Sequence, residues 1–255
     1  MLMDIAHIGP LTVHGYGLMI GIGVVVALWL FWHRTGRAGY TDSMATGYAA
    51  SVVISGFIGA KVLYLFAHFS DFVADPLGTL GSEGFVVYGG LIFGIAAAWL
   101  WCRKKNESFL RWMDLILPTV AIGQGFGRIG CFFAGCCYGL PTDSPLGVVF
   151  PAGSAAPAGI PLWPVQIFSS VGDFLIALAL LLYEKRQPKR GSVAIAYLLL
   201  YSVGRFVIEY FRNDMRGSVG IFSTSQFISL FFALFAVILL RRVDRPGEKC
   251  AESAE

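Results

Sequence analysis

The chain is predicted to be an all-α, polytopic membrane protein, on three observations. Of its 255 residues 56% are hydrophobic, only 14% are charged, and the apolar residues fall in long blocks rather than short amphipathic stripes. A soluble globular domain carries about 25% charged residues, so the deficit sets the class before any motif is read. A hydrocarbon core about 30 Å thick takes roughly 20 residues of helix. Helix is the required conformation, because backbone polar groups in lipid must be satisfied within the segment.

Taken in order, the stretches that meet this requirement are Gly17–Trp32, Met44–Ala67, Phe85–Cys102, Met113–Ala134, Pro164–Tyr183, Ser192–Phe211 and Phe222–Leu240. They predict seven transmembrane helices. The first reads as a span and not as a cleaved signal peptide, since no basic region precedes it and no small-residue cleavage site follows it. Between the second and third spans, His68–Gly84 reads as an irregular excursion with a turn at Asp75-Pro76. The segment 135–163 is rich in Gly, Pro and Ala, and Pro151, Pro157 and Pro161 argue against helix there. It is expected to be an irregular extracytoplasmic segment. No repeat or composition shift divides the chain, so residues 1–255 are expected to form a single integral membrane domain, with 241–255 as its tail.

Orientation follows from where the cations sit. Arg34 and Arg37, then Arg103, Lys104, Lys105 and Arg111, then Lys185, Arg186, Lys189 and Arg190, then Arg241, Arg242, Arg245 and Lys249 occupy alternate connections. The intervening His68–Gly84 and Gly135–Trp163 carry no Lys or Arg. Cytoplasmic loops collect positive charge, so the N-terminus is expected outside and the C-terminus in the cytoplasm. The cations outside this pattern are Lys61, Arg128, Arg205, Arg212 and Arg216.

A charge at membrane depth costs roughly 2.5–3.5 kcal/mol on insertion scales, and it normally faces a partner or a watery cavity. Arg205 and Glu209 are four residues apart on one helix and so share a face; Arg212 extends the stripe. Arg128 lies in Gly125-Phe126-Gly127-Arg128-Ile129-Gly130, where small residues permit close approach of a helix or a ligand. Two readings stand. Arg128 and Arg205 are internal staples paired with Glu209, Asp114 or Asp173, or they form an anion site for a lipid phosphate, whose oxygens match the guanidinium fork. Lys61 is open to snorkelling, pairing with an acid, or joining the same cavity.

Tyr88-Gly89-Gly90-Leu91-Ile92 opens the third span. Its glycines point to a close approach of backbone or ligand, and Tyr88 reads equally as an interfacial aromatic. Cys131, Cys136 and Cys137 cluster at the end of the fourth span. A disulfide from Cys131 to Cys136 or Cys137, a metal site, small buried thiols, or a thiol activated by Arg128 are all open readings. The spacing matches no common zinc arrangement, and no His lies in the block.

In order and spacing these pieces resemble the prolipoprotein diacylglyceryl transferases along nearly the whole chain. The resemblance is carried by Ile8-Gly9-Pro10, His14-Gly15-Tyr16-Gly17-Leu18-Met19, Ala74-Asp75-Pro76-Leu77, Tyr88-Gly89-Gly90-Leu91-Ile92, Gly127-Arg128-Ile129-Gly130 with Gly135 and Gly139, Pro164-Val165-Gln166, and Tyr201 to Arg212. It implies a transferase of the bacterial cell inner membrane. The enzyme would move the diacylglyceryl group of phosphatidylglycerol to the lipobox cysteine of prolipoproteins, the first step of lipoprotein maturation, releasing glycerol 1-phosphate. It implies Arg128, Arg205 and Tyr88 as catalytic. It also implies that Arg128, Arg205, Glu209, Tyr16, Tyr201, Gly89, Gly90, Gly139 and Gln166 bind substrate. The expected partners are phosphatidylglycerol, prolipoprotein lipobox segments and membrane lipid, with no nucleic acid, no cofactor and no metal.

Two departures from the family pattern stand out. Tyr88 occupies a position where the family usually has histidine, the expected base, and an unperturbed tyrosine ionises only near pH 10. Cys131 stands where asparagine is usual, and Cys136 and Cys137 are likewise atypical. Two other functions remain as expectations to test: a same-fold paralogue acting on another acceptor, and a non-enzymatic phospholipid-binding or transport protein. Gly-x-Ser-x-Gly, His-Glu-x-x-His and Gly-x-x-x-x-Gly-Lys are absent from the sequence.

Overall fold

The computed structural model describes residues 4–8, 11–82, 84–213 and 218–244. Gly9 and Pro10 of the N-terminal motif, Arg216, and Arg245 and Lys249 of the expected tail lie outside the described residues. In chain order the elements are strands β1 (Asp4–Ile8) and β2 (Leu11–His14), then helices α1 (Gly15–Arg37), α2 (Asp42–Ala67), α3 (Phe69–Ala74), α4 (Pro76–Gly81), α5 (Val87–Lys105) and α6 (Phe109–Ala134). Strands β3 (Val148–Val149) and β4 (Pro161–Leu162) follow, then α7 (Val165–Glu184), α8 (Ser192–Ile208) and a 3-10 turn (Glu209–Phe211). The described chain closes with β5 (Ser218–Val219), β6 (Phe222–Ser223) and α9 (Thr224–Asp244). The strands make three separate antiparallel ribbons, so helices carry the architecture.

Among the described residues, six helical segments are long and apolar enough to cross a membrane: α1, α2, α6, α7, α8 with its 3-10 turn, and Thr224–Arg241 of α9. The 19-residue α5 is not among them, and its last turn is Arg103, Lys104 and Lys105. Val25, Trp29, Phe57, Leu175 and Phe231 are each at least 60% exposed. Apolar exposure on this scale opposes an aqueous surface and suits a lipid-facing one.

Four local expectations change. Helix α1 runs on to Arg37, so Arg34 is not a loop residue; it is buried, and its Nη2 donates to the Asp114 carbonyl at 2.9 Å. His68–Gly84 is not irregular but holds α3 and α4, because Asp75-Pro76 starts a helix instead of closing a turn. The Asp75 carboxylate accepts from the Gly78 N–H at 3.0 Å, and Pro76 fills the first helical position, where a missing N–H costs nothing. The segment 135–163 holds the short β3–β4 ribbon. Finally, α9 takes Arg241 and Arg242 into its last turns instead of leaving them in a tail.

Contacts divide the chain into two compact units, Met1–Ala27 with Ile116–Glu255, and Leu28–Leu115. In the second unit Tyr48 and Trp112 are fully buried, with ring centroids 4.6 Å apart, and Trp101 meets Trp112 edge-on at 4.8 Å. Along α2 and α5 the backbones approach through glycines. A Cβ on Gly89 would strike the Gly59 carbonyl, and one on Gly90 would lie 3.1 Å from the Gly56 oxygen. Helix packing therefore accounts for the paired glycines that the sequence left open to a ligand. Lys61 is a local tie. Its Nζ donates to the Ser82 carbonyl at 2.7 Å and lies 5.0 and 5.2 Å from the ring centroids of Tyr64 and Phe85.

In the first unit, Ala121, Ala177, Leu180, Val193 and Tyr197 form one core, and Phe150, Ala156 and Leu162 form a smaller one under the irregular segment. The glycine contact in the second unit yields a test. Gly89→Ala should lose about 1–3 kcal/mol by overpacking, read as a lower melting temperature in detergent. Gly21→Ala, on α1 with nothing within 4 Å of the added carbon, should melt no lower than wild type.

Candidate active site

The chemistry-bearing residues of the first unit gather where α6 ends, and the end of α6 is built by a specific stop signal. Gly135 has φ 68°, its N–H bonds to the Phe132 carbonyl at 3.2 Å, and the Cys136 N–H bonds to the Cys131 carbonyl at 3.2 Å. That pair of bonds is the Schellman arrangement, which sets the side chains of its first and last residues beside each other. Here those side chains are Cys131 and Cys136. Cys137 then takes φ 59°, a left-handed conformation uncommon for a residue with a Cβ. The result is three free thiols whose Sγ atoms all lie within 4.8 Å of one another. No disulfide joins them. The neighbouring thiols of Cys131 and Cys136 bond to the Cys137 sulfur, and Arg212 adds positive charge, which together hold the Cys137 thiol well below the ordinary thiol range. Cys136 is pushed up, since Cys131 and Cys137 hydrogen-bond to it in its protonated form.

The loop is tied down from two sides. Gln166 is buried at the start of α7, and its Nε2 donates to the Cys136 carbonyl at 2.8 Å. The Leu140 N–H donates to the Phe211 carbonyl at 2.9 Å, and the Asn213 N–H to the Tyr138 carbonyl at 3.2 Å, so residues 138–140 lie along the end of α8. Gly139 sits at the crossing: a Cβ there would come within 2.6 Å of the Trp163 oxygen. Its role in this structure is close backbone passage.

Arg128 is three residues before Cys131 and so shares its helix face. It is half-buried, and among the described residues it makes no hydrogen bond or ion pair. Tyr201, Cys131, Asp173 and Cys137 lie within its electrostatic reach. Tyr201 stacks on Tyr197 with centroids 5.7 Å apart, and the Tyr197 hydroxyl donates to Gln124 Oε1 at 2.8 Å. Tyr16 packs over Gly130, within electrostatic reach of Arg128 and the three cysteines, and remains 45% exposed.

Arg205 is held differently. Its Nη1 lies 2.9 Å from Glu209 Oε2, and the N–H does not point along that line, so the contact is an ion pair without a hydrogen bond. Nη2 donates to Ser225 Oγ at 3.0 Å. Ser223 Oγ donates to Glu209 Oε1 at 2.9 Å. Ser223 also caps α9. The Gln226 N–H bonds to Ser223 Oγ and the Ser223 N–H to Gln226 Oε1, each at 3.1 Å, a reciprocal capping box. Asp173, buried on α7, lies within electrostatic reach of both Arg128 and Arg205.

The first unit thus contains Tyr16, Arg128, Gly139, Gln166, Tyr201, Arg205 and Glu209 of the expected site, while Tyr88, Gly89 and Gly90 belong to the second. Tyr88 stands in the first turn of α5, 52% exposed. Sequence reasoning missed Ser223, Ser225, Tyr197 and Gln124. The first of these had a legible signal in Ser223-Thr224-Ser225-Gln226 before an apolar run. Tyr197 could have been found from its four-residue spacing to Tyr201.

The family model described as prolipoprotein diacylglyceryl transferase matches residues 4–242. The chain belongs to the prolipoprotein diacylglyceryl transferase family. A relative from Clostridium perfringens, phosphatidylglycerol--prolipoprotein diacylglyceryl transferase 2, is 43% identical over 251 residues and covers 98% of each chain. The phosphatidylglycerol--prolipoprotein diacylglyceryl transferase of Clostridium tetani is 44% identical over 237 residues, 92% of this chain and 94% of its own. A protein of that name from Oceanobacillus iheyensis is 28% identical over 244 residues, 92% of this chain and 85% of its own.

In this member of the prolipoprotein diacylglyceryl transferase family, one serine serves both a helix cap and the Glu209 carboxylate. Ser223→Ala should therefore cost about 1–3 kcal/mol, more than an ordinary cap loss, measured as a fall in melting temperature in detergent. Thr224→Ala is the comparison variant on the same turn.

Proposed function

We propose that the chain transfers the diacylglyceryl group of phosphatidylglycerol to the thiol of a lipobox cysteine in prolipoproteins and releases glycerol 1-phosphate. The near full-length match to transferases of that name supports the reaction, and the observation that carries the site is Arg128. It is a half-buried guanidinium on a span-length helix with no ion pair among the described residues.

The acceptor sulfur attacks the glycerol carbon that bears the phosphate ester. The thiol gives up its proton to water, the carbon–sulfur bond forms as the carbon–oxygen bond breaks, and the electron pair leaves on the phosphate oxygen. Charge grows on that phosphate, so pre-set donors aimed at it lower the barrier. Arg128 supplies the unspent donor fork, and Arg205, aligned by Glu209 and Ser225, supplies the second. Tyr16 and Tyr201 flank the headgroup. Gln166 and Gly139 fix the loop that ends the helix. Tyr88 stands where the family carries histidine and is the third catalytic candidate, while Gly89 and Gly90 serve the packing of α5 on α2.

The chain sits in the bacterial inner membrane. Helix α5 is the seventh span, its basic last turn in the cytoplasm; the N-terminus is outside and the C-terminus inside. The reaction then takes place at the outer leaflet, where phospholipid headgroups and translocated prolipoproteins meet.

The test is a transfer assay in proteoliposomes with labelled phosphatidylglycerol and a lipobox peptide. Wild type should turn over, and Arg128→Ala should lose at least about 10²-fold, the range for removing one donor from a developing oxyanion. Lipid binding without transfer by the wild-type protein would favour a lipid-binding or transport role instead.

A further inference from the structure

We infer that Cys131, Cys136 and Cys137 form a three-thiolate site for Zn²⁺ whose fourth coordination position takes the acceptor thiol. The second half of this statement rests on the transferase reading above; the metal site does not.

The site is built and not incidental. A Schellman stop places Cys131 against Cys136, and a left-handed Cys137 turns the third sulfur back to join them. All three Sγ atoms lie within 4.8 Å of one another. Tetrahedral zinc with Zn–S bonds of about 2.3 Å separates its sulfurs by about 3.8 Å, so the thiols need to close by only about 1 Å. The loop is anchored behind the sulfurs by Gln166 Nε2 on the Cys136 carbonyl. Gln166 Oε1 is itself buried, with no hydrogen-bond partner among the described residues.

Charge argues the same way. Three thiolates and one Zn²⁺ leave a single negative charge. Arg212 stands beside Cys137, and Arg128 lies within reach of Cys131 and Cys137, so that charge has cationic neighbours on both sides. Three protein ligands are what zinc keeps when a fourth position is used for chemistry. A thiol bound there loses its proton outright. This answers the difficulty raised by Tyr88: the acceptor would be activated without a histidine base. The S–H proton goes to water on binding. The metal-bound sulfur then attacks the glycerol carbon, and the phosphate leaves with the carbon–oxygen electron pair toward Arg128. Zinc stays divalent, and no oxidant or reductant is needed.

The experiment measures metal content and the Co²⁺-substituted spectrum of the full-length protein, purified in detergent under reducing conditions. Wild type and Cys102→Ser, a buried cysteine of α5 outside the cluster, should hold about one zinc per chain. Cys131→Ser, Cys136→Ser and Cys137→Ser should each lose metal affinity by about 10-fold or more, with melting checked in parallel. The thiolate-to-cobalt absorption should strengthen when a lipobox peptide is added and stay unchanged with the same peptide carrying serine. Wild type without zinc, zinc retained by all three cluster variants, or a disulfide within the cluster in the unreduced protein would overturn the site. Zinc bound with no spectral response to the cysteine peptide would overturn the acceptor's place at the fourth position. A response to the peptide without any transfer would support the site and count against the transferase reading.

Discussion

A guanidinium held at membrane depth must be matched, and how each arginine is matched decides what this molecule can do. The cost of roughly 2.5–3.5 kcal/mol per charge is offset at Arg205 by Ser225 of α9 and by the Glu209 carboxylate, which Ser223 at the cap of α9 holds in turn. Arg128 has electrostatic neighbours in Tyr201 and Asp173 and, among the described residues, no hydrogen-bonded partner. A guanidinium with no hydrogen-bonded partner among the described residues supports the proposed phosphodiester site more than a bracing role.

Placement of those charges depends on two local backbone devices. The Schellman stop at Gly135 ends α6 just beyond Arg128 and folds the cysteine loop back over the helix end. The capping box at Ser223 and Gln226 starts α9 with a hydroxyl pointed at Glu209. Both are short-range solutions to unsatisfied helix-end groups, and in both the same atoms or residues serve the site. Gly139 joins the two regions, since only a glycine passes so close to the Trp163 carbonyl while its loop runs along the end of α8.

The helices were largely legible because bilayer thickness writes itself into run length: the predicted spans and the structural helices differ mainly at their ends. The errors have physical causes. Arg34 resembles a loop cation in sequence because a helix that outlasts its apolar run looks like a loop there. Asp75-Pro76 is ambiguous in sequence because the same pair that closes a turn also starts a helix. Gly89 and Gly90 were ambiguous between ligand and helix packing, and only the approach of Gly59 and Gly56 resolves them. Arg205 with Glu209 was visible from spacing alone. The convergence of three thiols was not, because it depends on two left-handed residues, and only Gly135 advertises one.

The proposed transfer requires Arg128 to grip a phospholipid's phosphate, and binding tests that more directly than turnover. Affinity for a non-reactive phosphatidylglycerol analogue should be measured against a zwitterionic phospholipid in wild type and Arg128→Gln. Arg128→Gln should lose the preference for the anionic lipid by tenfold or more, about 1.4 kcal/mol, with its melting temperature unchanged. An unchanged preference in a folded Arg128→Gln protein would contradict it.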